Sequence, residues 1–335
     1  MKPMLLLIAA TATLAWVPAQ TDRHAALDRV LDTYVRGGLV YYRALRAERS
    51  SLDRYVASLD LPADQVASWT PEEQQAFWLN AYNAIVLRTI IDQYPIRTRS
   101  QEYPEGSVRQ IPGAFDGVTH RVGGRSLTLD AIERHLLETF GDARLSLALG
   151  RGAMGSPRLR SEAFSAARLE AQLRDVVAEC ATRLSCVQLD LAGDRLVVSP
   201  IMGWREEAFV ATFGPVAAGR WADRSPIERA VAAMIYPHVF NREQQVLERG
   251  TFRMEYGEFD WRLNELRGSE EFSTDPAAGV PEVPRPFTQG TSGTNAAGSV
   301  ENSSDPLSSF SRQSNSPYSM RNVPRSSTCC SRLKT

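Results

Sequence analysis

Apolar residues first recur at helical spacing at Leu27, Val30, Leu31, Tyr34 and Val35, and Gly37-Gly38 directly after them predicts a stop. A second helix is predicted over 43–59, with Leu45, Leu52, Tyr55, Val56 and Leu59 facing inward. The best-punctuated element comes next. Thr70 suits an N-cap, Pro71 the first helical position and Glu73 the third residue of a capping box, while Tyr94-Pro95 ends the run. Between them Phe77/Ala81/Ala84, Trp78/Tyr82/Ile85 and Asn80/Asn83/Leu87 form three adjacent stripes. Apolar groups therefore lie nearly all round, which predicts a buried central helix. Asn80 and Asn83 share one face of it and need hydrogen-bond partners, because an unpaired buried amide costs about 1–3 kcal/mol.

The pattern then turns extended. Ser107 to Ile111 alternates like a strand, and 118–122 and 125–127 flank Gly123-Gly124 as a hairpin. Thr128 caps a helix carrying Asp130 and Glu133 in its first turns, and Gly141 closes it. The apolar run 143–149 predicts a buried strand, followed by a glycine-rich loop over 150–159. An amphipathic helix is predicted from a Ser165 cap to about Leu184, then a hairpin of 187–191 and 195–199, and helices over 203–213 and from Ser225. The aromatic segment 254–266 is read as the closing helix. This is the outline of an α+β domain: a buried central helix packed on a small, mostly antiparallel sheet.

Composition alters the two ends of this picture. Lys2 followed by the apolar run Met4–Trp16 and Val17-Pro18-Ala19 reads as a cleaved secretory signal over 1–19, too short for a membrane span. Beyond Gly268 the chain turns to Ser, Pro, Gly, Asn and Thr with few large apolar residues, which predicts a disordered tail over 269–335. The domain itself is expected over 20–268, in a secreted or periplasmic protein without a stable membrane span after cleavage. A net charge of -1 gives no reason to expect nucleic acid. Export permits disulfides, and Cys180 with Cys186 forms a candidate local clip. No metal-binding spacing and no cofactor signature is present.

Candidate chemistry gathers near the glycine loop. Gly150-Arg151-Gly152-Ala153-Met154-Gly155 spells a dinucleotide fingerprint, but Pro157 and the extended residues after it disfavour the helix start that pyrophosphate binding requires. Arg151, Arg158 and Arg160 suit an anion or internal carboxylates. Ser156 precedes Pro157, which removes the amide that a nucleophile elbow uses for its oxyanion hole. His24, His120, His135 and His238 fall in no motif.

With these residues in view the chain resembles the DUF547 family, whose biochemical function is unassigned. The resemblance spans about 41–266. It rests on Phe77-Trp78-Leu79-Asn80-Ala81-Tyr82-Asn83, on 122–133 with Leu129-Asp130-Ala131-Ile132-Glu133, on Ser156-Pro157-Arg158-Leu159, and on Phe259-Asp260-Trp261-Arg262-Leu263-Asn264. The family commonly carries a histidine before the glycine loop and cysteines within it. Here Ser146 stands at the histidine position, and Arg151 and Ser156 stand at the cysteine positions. The pair that would support thiolate chemistry is absent. Two readings follow. In the first, the domain binds a small anionic or peptide-like ligand or a protein partner without catalysis, with Asn80, Asn83, Arg151 and Arg158 as candidate ligand contacts. In the second it is a hydrolase or transferase using Ser146 or Ser156 with Glu133 or a distant histidine. A third, architectural role for Asn80, Asn83, Trp78, Tyr82, Asp260 and Trp261 would tie the ends of the chain together.

Overall fold

The computed structural model of the protein describes Arg23–Arg267, so the expected leader and the expected tail lie outside the described residues. Helix α1 (Ala25–Tyr34) ends before the expected stop at Gly37-Gly38, and Val35–Arg36 (β1) pairs antiparallel with Leu39–Val40 (β2). Gly37 and Gly38 adopt φ of +60° and +91°, which favours glycine, and make the hairpin turn. The expected second helix divides into α2 (Tyr42–Ala47) and α3 (Ser50–Ala57), and α4 (Ala63–Ala67) follows.

Helix α5 (Pro71–Gln93) is the predicted central helix, with the Thr70/Glu73 capping box formed in both directions and a continuous buried stretch from Ala76 to Leu87. Its helical neighbours include α3, α2 and the later α6. Trp78 meets His135 of that helix edge to face, with centroids 4.7 Å apart.

Residues 107–111 are not a strand. Ser107 Oγ accepts from Arg109 N and closes a 3-10 turn over 108–110, while the buried Gln110 side chain bonds the backbone at Arg99, Ser100 and Tyr103. Five alternating residues are too few to exclude a turn whose partners are local side chains. The hairpin of β3 (His120–Val122) and β4 (Arg125–Leu127) forms as expected. So does α6 (Leu129–Phe140), with Thr128 accepting from Ala131 N and Gly141 left-handed at φ +64°.

The expected strand over 143–149 is instead a single helical turn, α7 (Arg144–Leu147). So short a run carries no readable period, and side chains take up the amides that open the turn: Thr212 Oγ1 accepts from Ala143 N and Asp142 Oδ1 from Arg144 N. The amphipathic helix α8 (Leu169–Thr182) is preceded by a 3-10 turn, and Ser165 does not cap it; the Ser165 amide instead donates to Gln172 Oε1.

Strands β5 (Val187–Asp190) and β6 (Arg195–Val198) form the second hairpin. The expected helix over 203–213 is broken at Arg205 into α9 (Pro200–Trp204) and α10 (Glu206–Phe213). Helix α11 (Pro226–Ile235) uses the Ser225/Glu228 capping box, and α12 (Asn241–Arg249) follows. The closing segment is extended rather than helical. Arg253–Tyr256 (β7) adds parallel to the open side of β6, and the chain then pairs with the glycine loop. Available backbone partners on both outweigh the weak helical pattern of the aromatics.

The fold is α+β, with small separate sheets around a helical core. Cys180 and Cys186 form a disulfide, Cα atoms 5.3 Å apart, joining the end of α8 to the start of β5. Among the described residues no helix is long and apolar enough to cross a membrane.

Candidate functional site

Helix α5 buries the polar side chains of Asn80, Tyr82 and Asn83 at its centre. Asn80 donates to Phe164 O at 2.8 Å and accepts from Phe164 N at 2.9 Å. Asn83 donates to Ala148 O at 3.2 Å and accepts from Gly150 N at 2.8 Å. Each asparagine thus brackets one segment of distant backbone. Tyr82 is fully buried, and its hydroxyl has no partner among the described residues.

Helix α6 places Glu133 beneath the glycine loop. Its Oε1 accepts from Arg151 Nη2 at 2.6 Å and from Arg205 Nε at 2.9 Å, with only 3% of the Glu133 side chain and 5% of Arg151 exposed, against 33% of Arg205. Burial pushes the Glu133 carboxyl up, but Arg151 and Arg205 outweigh it and hold the carboxyl below its ordinary value. Arg151 is buried too, which disfavours its charge, yet Glu133 more than restores it. One turn back on α6, half-buried Asp130 is pushed up by burial, then by the like charges of Glu133 and Asp116, against the opposing pull of Arg205 and Arg109.

The positions that carry reactive groups in the resembled family come together here. Arg151 Nη1 donates to Ser146 O and Leu149 O at 3.3 and 3.2 Å, while Arg151 N donates to Ser156 Oγ at 3.0 Å. Ser146 Oγ donates to Ala143 O at 2.8 Å, and both serines are buried. Neither has a base. His120, His135 and His238 make no hydrogen bond to either serine; His135 packs on Trp78 and meets Thr139, and His24 is bonded to Tyr55. His120, His135 and His238 are all held below the ordinary imidazole range, by burial first.

The glycine loop is poorly suited to cradle a phosphate, because most of its amides are already engaged. Gly150 N donates to Asn83, Arg151 N to Ser156, Met154 N to Arg262 O, Gly155 N to Asp260 O and Ser156 N to Ala153 O. Gly152 has φ +67°, and a Cβ there would collide with Ile90 Cδ1. A Cβ on Gly155 would stand 2.6 Å from Asp260 N. Its glycines let the loop lie against α5 on one side and the closing segment on the other.

Of the residues singled out from the sequence, Asn83, Glu133, Ser146, Arg151 and Ser156 belong to one connected network. Asn80 serves Phe164. Arg158 lies on the surface facing Glu179 of α8 at 3.5 Å, and Arg160 pairs with Glu162 at 2.7 Å. The sequence did not point to Arg205, which sits at the break between α9 and α10, where nothing local announces a contact with a residue on α6. Trp204 beside it stacks on Trp261, centroids 6.3 Å apart and planes 16° apart, and Phe259 lies 4.4 Å from Trp261. Arg109 lies over Trp261 and Tyr103, with its guanidinium carbon 5.2 and 5.0 Å from the ring centres.

A cleft of about 300 Å³ opens elsewhere, bordered by Gly155, Cys186, Ser199, Gly257 and Asp260, and neither Glu133, Arg151 nor Ser156 lines it. Among the described residues no group of His, Cys, Asp and Glu is gathered to hold a metal ion.

Residues 66–179 match the model of the family described as "Protein of unknown function, DUF547", so the chain carries a DUF547 domain over that segment. The match takes in α5, α6, the glycine loop and most of α8, whereas Arg205 and the closing aromatics fall beyond it. No curated protein and no solved structure matches the chain.

Proposed function

We propose that the protein is an exported domain, spanning 20–268, that binds a small anionic or peptide-like ligand or a protein partner without catalysis. One observation carries this reading. The three positions where the resembled family holds its histidine and cysteines are here bonded into the fold itself: Ser146 Oγ to Ala143, Ser156 Oγ to the Arg151 amide, and the Arg151 guanidinium to Glu133. A nucleophilic serine needs a base within hydrogen-bond reach and donors for the oxyanion. The proline after Ser156 supplies no amide, and Glu133, held ionised by two arginines, is a poor proton acceptor. The part-exposed groups beside the network, Arg205, Asp130 and the half-buried aromatics Trp204 and Trp261, are what a ligand would meet. Export is supported by the leader pattern at 1–19 and by the Cys180–Cys186 bond, since disulfides persist in oxidising compartments.

The test is incubation of the purified protein with ester and peptide libraries, followed by recovery of what stays bound. We expect bound ligand and no turnover. Hydrolysis or transfer that disappears in Ser156→Ala would overturn the reading in favour of a serine enzyme.

A further inference from the structure

The sheet of β5, β6 and β7 ends in a fork, and the cleft of about 300 Å³ lies in it, lined on one arm by 197–200 and on the other by Gly257, Glu258 and Asp260. Strand β7 runs parallel to β6 with Tyr256 opposite Val198, and the last bond between them is Gly257 N to Val198 O at 2.9 Å. In this register the next rung would bring the amide of residue 200 to Gly257 O. Residue 200 is a proline with no N–H to give, and it opens α9, so the ladder stops. The closing segment crosses instead to the glycine loop, where Asp260 O accepts from Gly155 N at 2.8 Å. Between these two points acceptors are left over. Among the described residues the Gly257 carbonyl has no hydrogen bond, and the exposed Glu258 carboxylate has neither a hydrogen bond nor an ion pair, whereas Asp260 is held by Arg262. The floor is apolar and open because residue 257 has no side chain: a Cβ there would stand 3.2 Å from Val197 Cγ1. Leu184, 71% exposed, and Pro200 border the same space.

We propose that this cleft holds a basic side chain of a peptide segment, its charged head on Glu258 and the Gly257 carbonyl and its methylene stem against Leu184, Val197 and Pro200. Arginine and lysine carry donors and no acceptor, which matches the oxygens left open where the ladder ends. Their stems lie along apolar surface while the head stays among polar groups. A glycine at a strand position marks a place where a ligand or another backbone comes close, and Gly257 supplies that clearance at the floor. An anionic ligand would find no lysine or arginine among the described residues that line the cleft, and would face Glu258. The volume lies at the small end of ligand pockets, enough for one long side chain and its adjoining main chain. None of Arg205, Asp130, Trp204 or Trp261 lines this space. The site therefore stands apart from the binding face proposed above, and either can fail alone.

The test is titration of the full chain, followed by its amide NMR shifts, with acetyl-Arg-Leu-amide, acetyl-Lys-Leu-amide and acetyl-Gln-Leu-amide. Glu258→Gln and Gly257→Val are titrated alongside, with urea unfolding as the control for both variants. A basic peptide is expected to bind in preference to the glutamine peptide and to move the amides of Val197, Gly257 and Glu258. Glu258→Gln should weaken it about fivefold, the upper worth of an exposed ion pair, and Gly257→Val should abolish binding by filling the floor. Failure of both basic peptides to bind, equal binding of the glutamine peptide, or shifts confined to residues outside the cleft would overturn the proposal. So would binding as tight in Glu258→Gln as in the parent. Glu258 is exposed, so its variant keeps the test decisive even where Gly257→Val does not fold.

Discussion

At the scale of single residues the unusual arrangement is one buried carboxylate oxygen shared by two guanidiniums. Breaking a buried ion pair leaves an uncompensated charge, which costs about 3–5 kcal/mol, whereas replacing both partners by apolar groups is often neutral. Arg151→Met should therefore destabilise the domain by about 3 kcal/mol, tempered by Arg205, and Glu133→Leu/Arg151→Met should recover most of the loss. The pH dependence has a definite sign. The folded-state carboxyl of Glu133 is depressed, so its contribution is fully present above the ordinary carboxylate value and fades as pH falls through the lower, folded one. Asp130 runs the opposite way: its raised folded value lowers stability as pH climbs past the unfolded value. Urea denaturation across pH should thus show the deficit of Glu133→Gln shrinking toward acid. A deficit that stayed constant would mean that the carboxylate's charge contributes nothing.

The helix α5 shows, at the scale of the element, where sequence reading succeeds and where it stops. Its start, its end and its burial on all faces follow from Thr70, Pro71, Glu73 and the three stripes, because capping and periodicity are local. That Asn80 and Asn83 need partners also follows. Which partners they take does not, since these are main-chain groups of Phe164, Ala148 and Gly150, and any residue carries such groups. The turn α7 differs from its expected strand for a related reason: so short a run has no readable period, and the amide before the turn finds its partner in Thr212, far along the chain. Arg205 was unreadable because its partner lies across the fold on α6. Each asparagine closes two buried backbone bonds, so Asn80→Ala and Asn83→Ala should each lose more than about 2 kcal/mol in urea unfolding. Their effect on ligand binding should be small, because the nitrogen and the oxygen of each amide are both buried and bonded to the backbone. Retained stability with lost binding in Asn80→Ala would instead make that residue a ligand contact.

Across the whole molecule, the site's loop is held between segments far apart in sequence. Asn83 on α5 fixes its first residue, while the closing segment pairs with its far half through Met154 N to Arg262 O and Gly155 N to Asp260 O, each at 2.8 Å. The closing segment is itself anchored to the first hairpin. Asn264 Oδ1 accepts from the buried Tyr42 hydroxyl at 2.7 Å, its Nδ2 donates to Gly38 O at 2.9 Å, and Val40 N donates to its carbonyl. The two ends of the described chain therefore meet at one side chain, behind the loop that carries Arg151. Asn264→Ala strands the Tyr42 hydroxyl and the Gly38 carbonyl, and should cost about 2–4 kcal/mol. If the closing segment is what holds the loop in register, amide exchange at Met154 and Gly155 should accelerate in that variant before the domain unfolds. Arg262→Ala, which removes only a side chain paired with Asp260 at the surface, should leave both the exchange and the stability near those of the parent. Equal protection of Met154 and Gly155 in Asn264→Ala and the parent would show that the loop keeps its place without the anchor, and that Glu133 and Asn83 alone suffice to position Arg151.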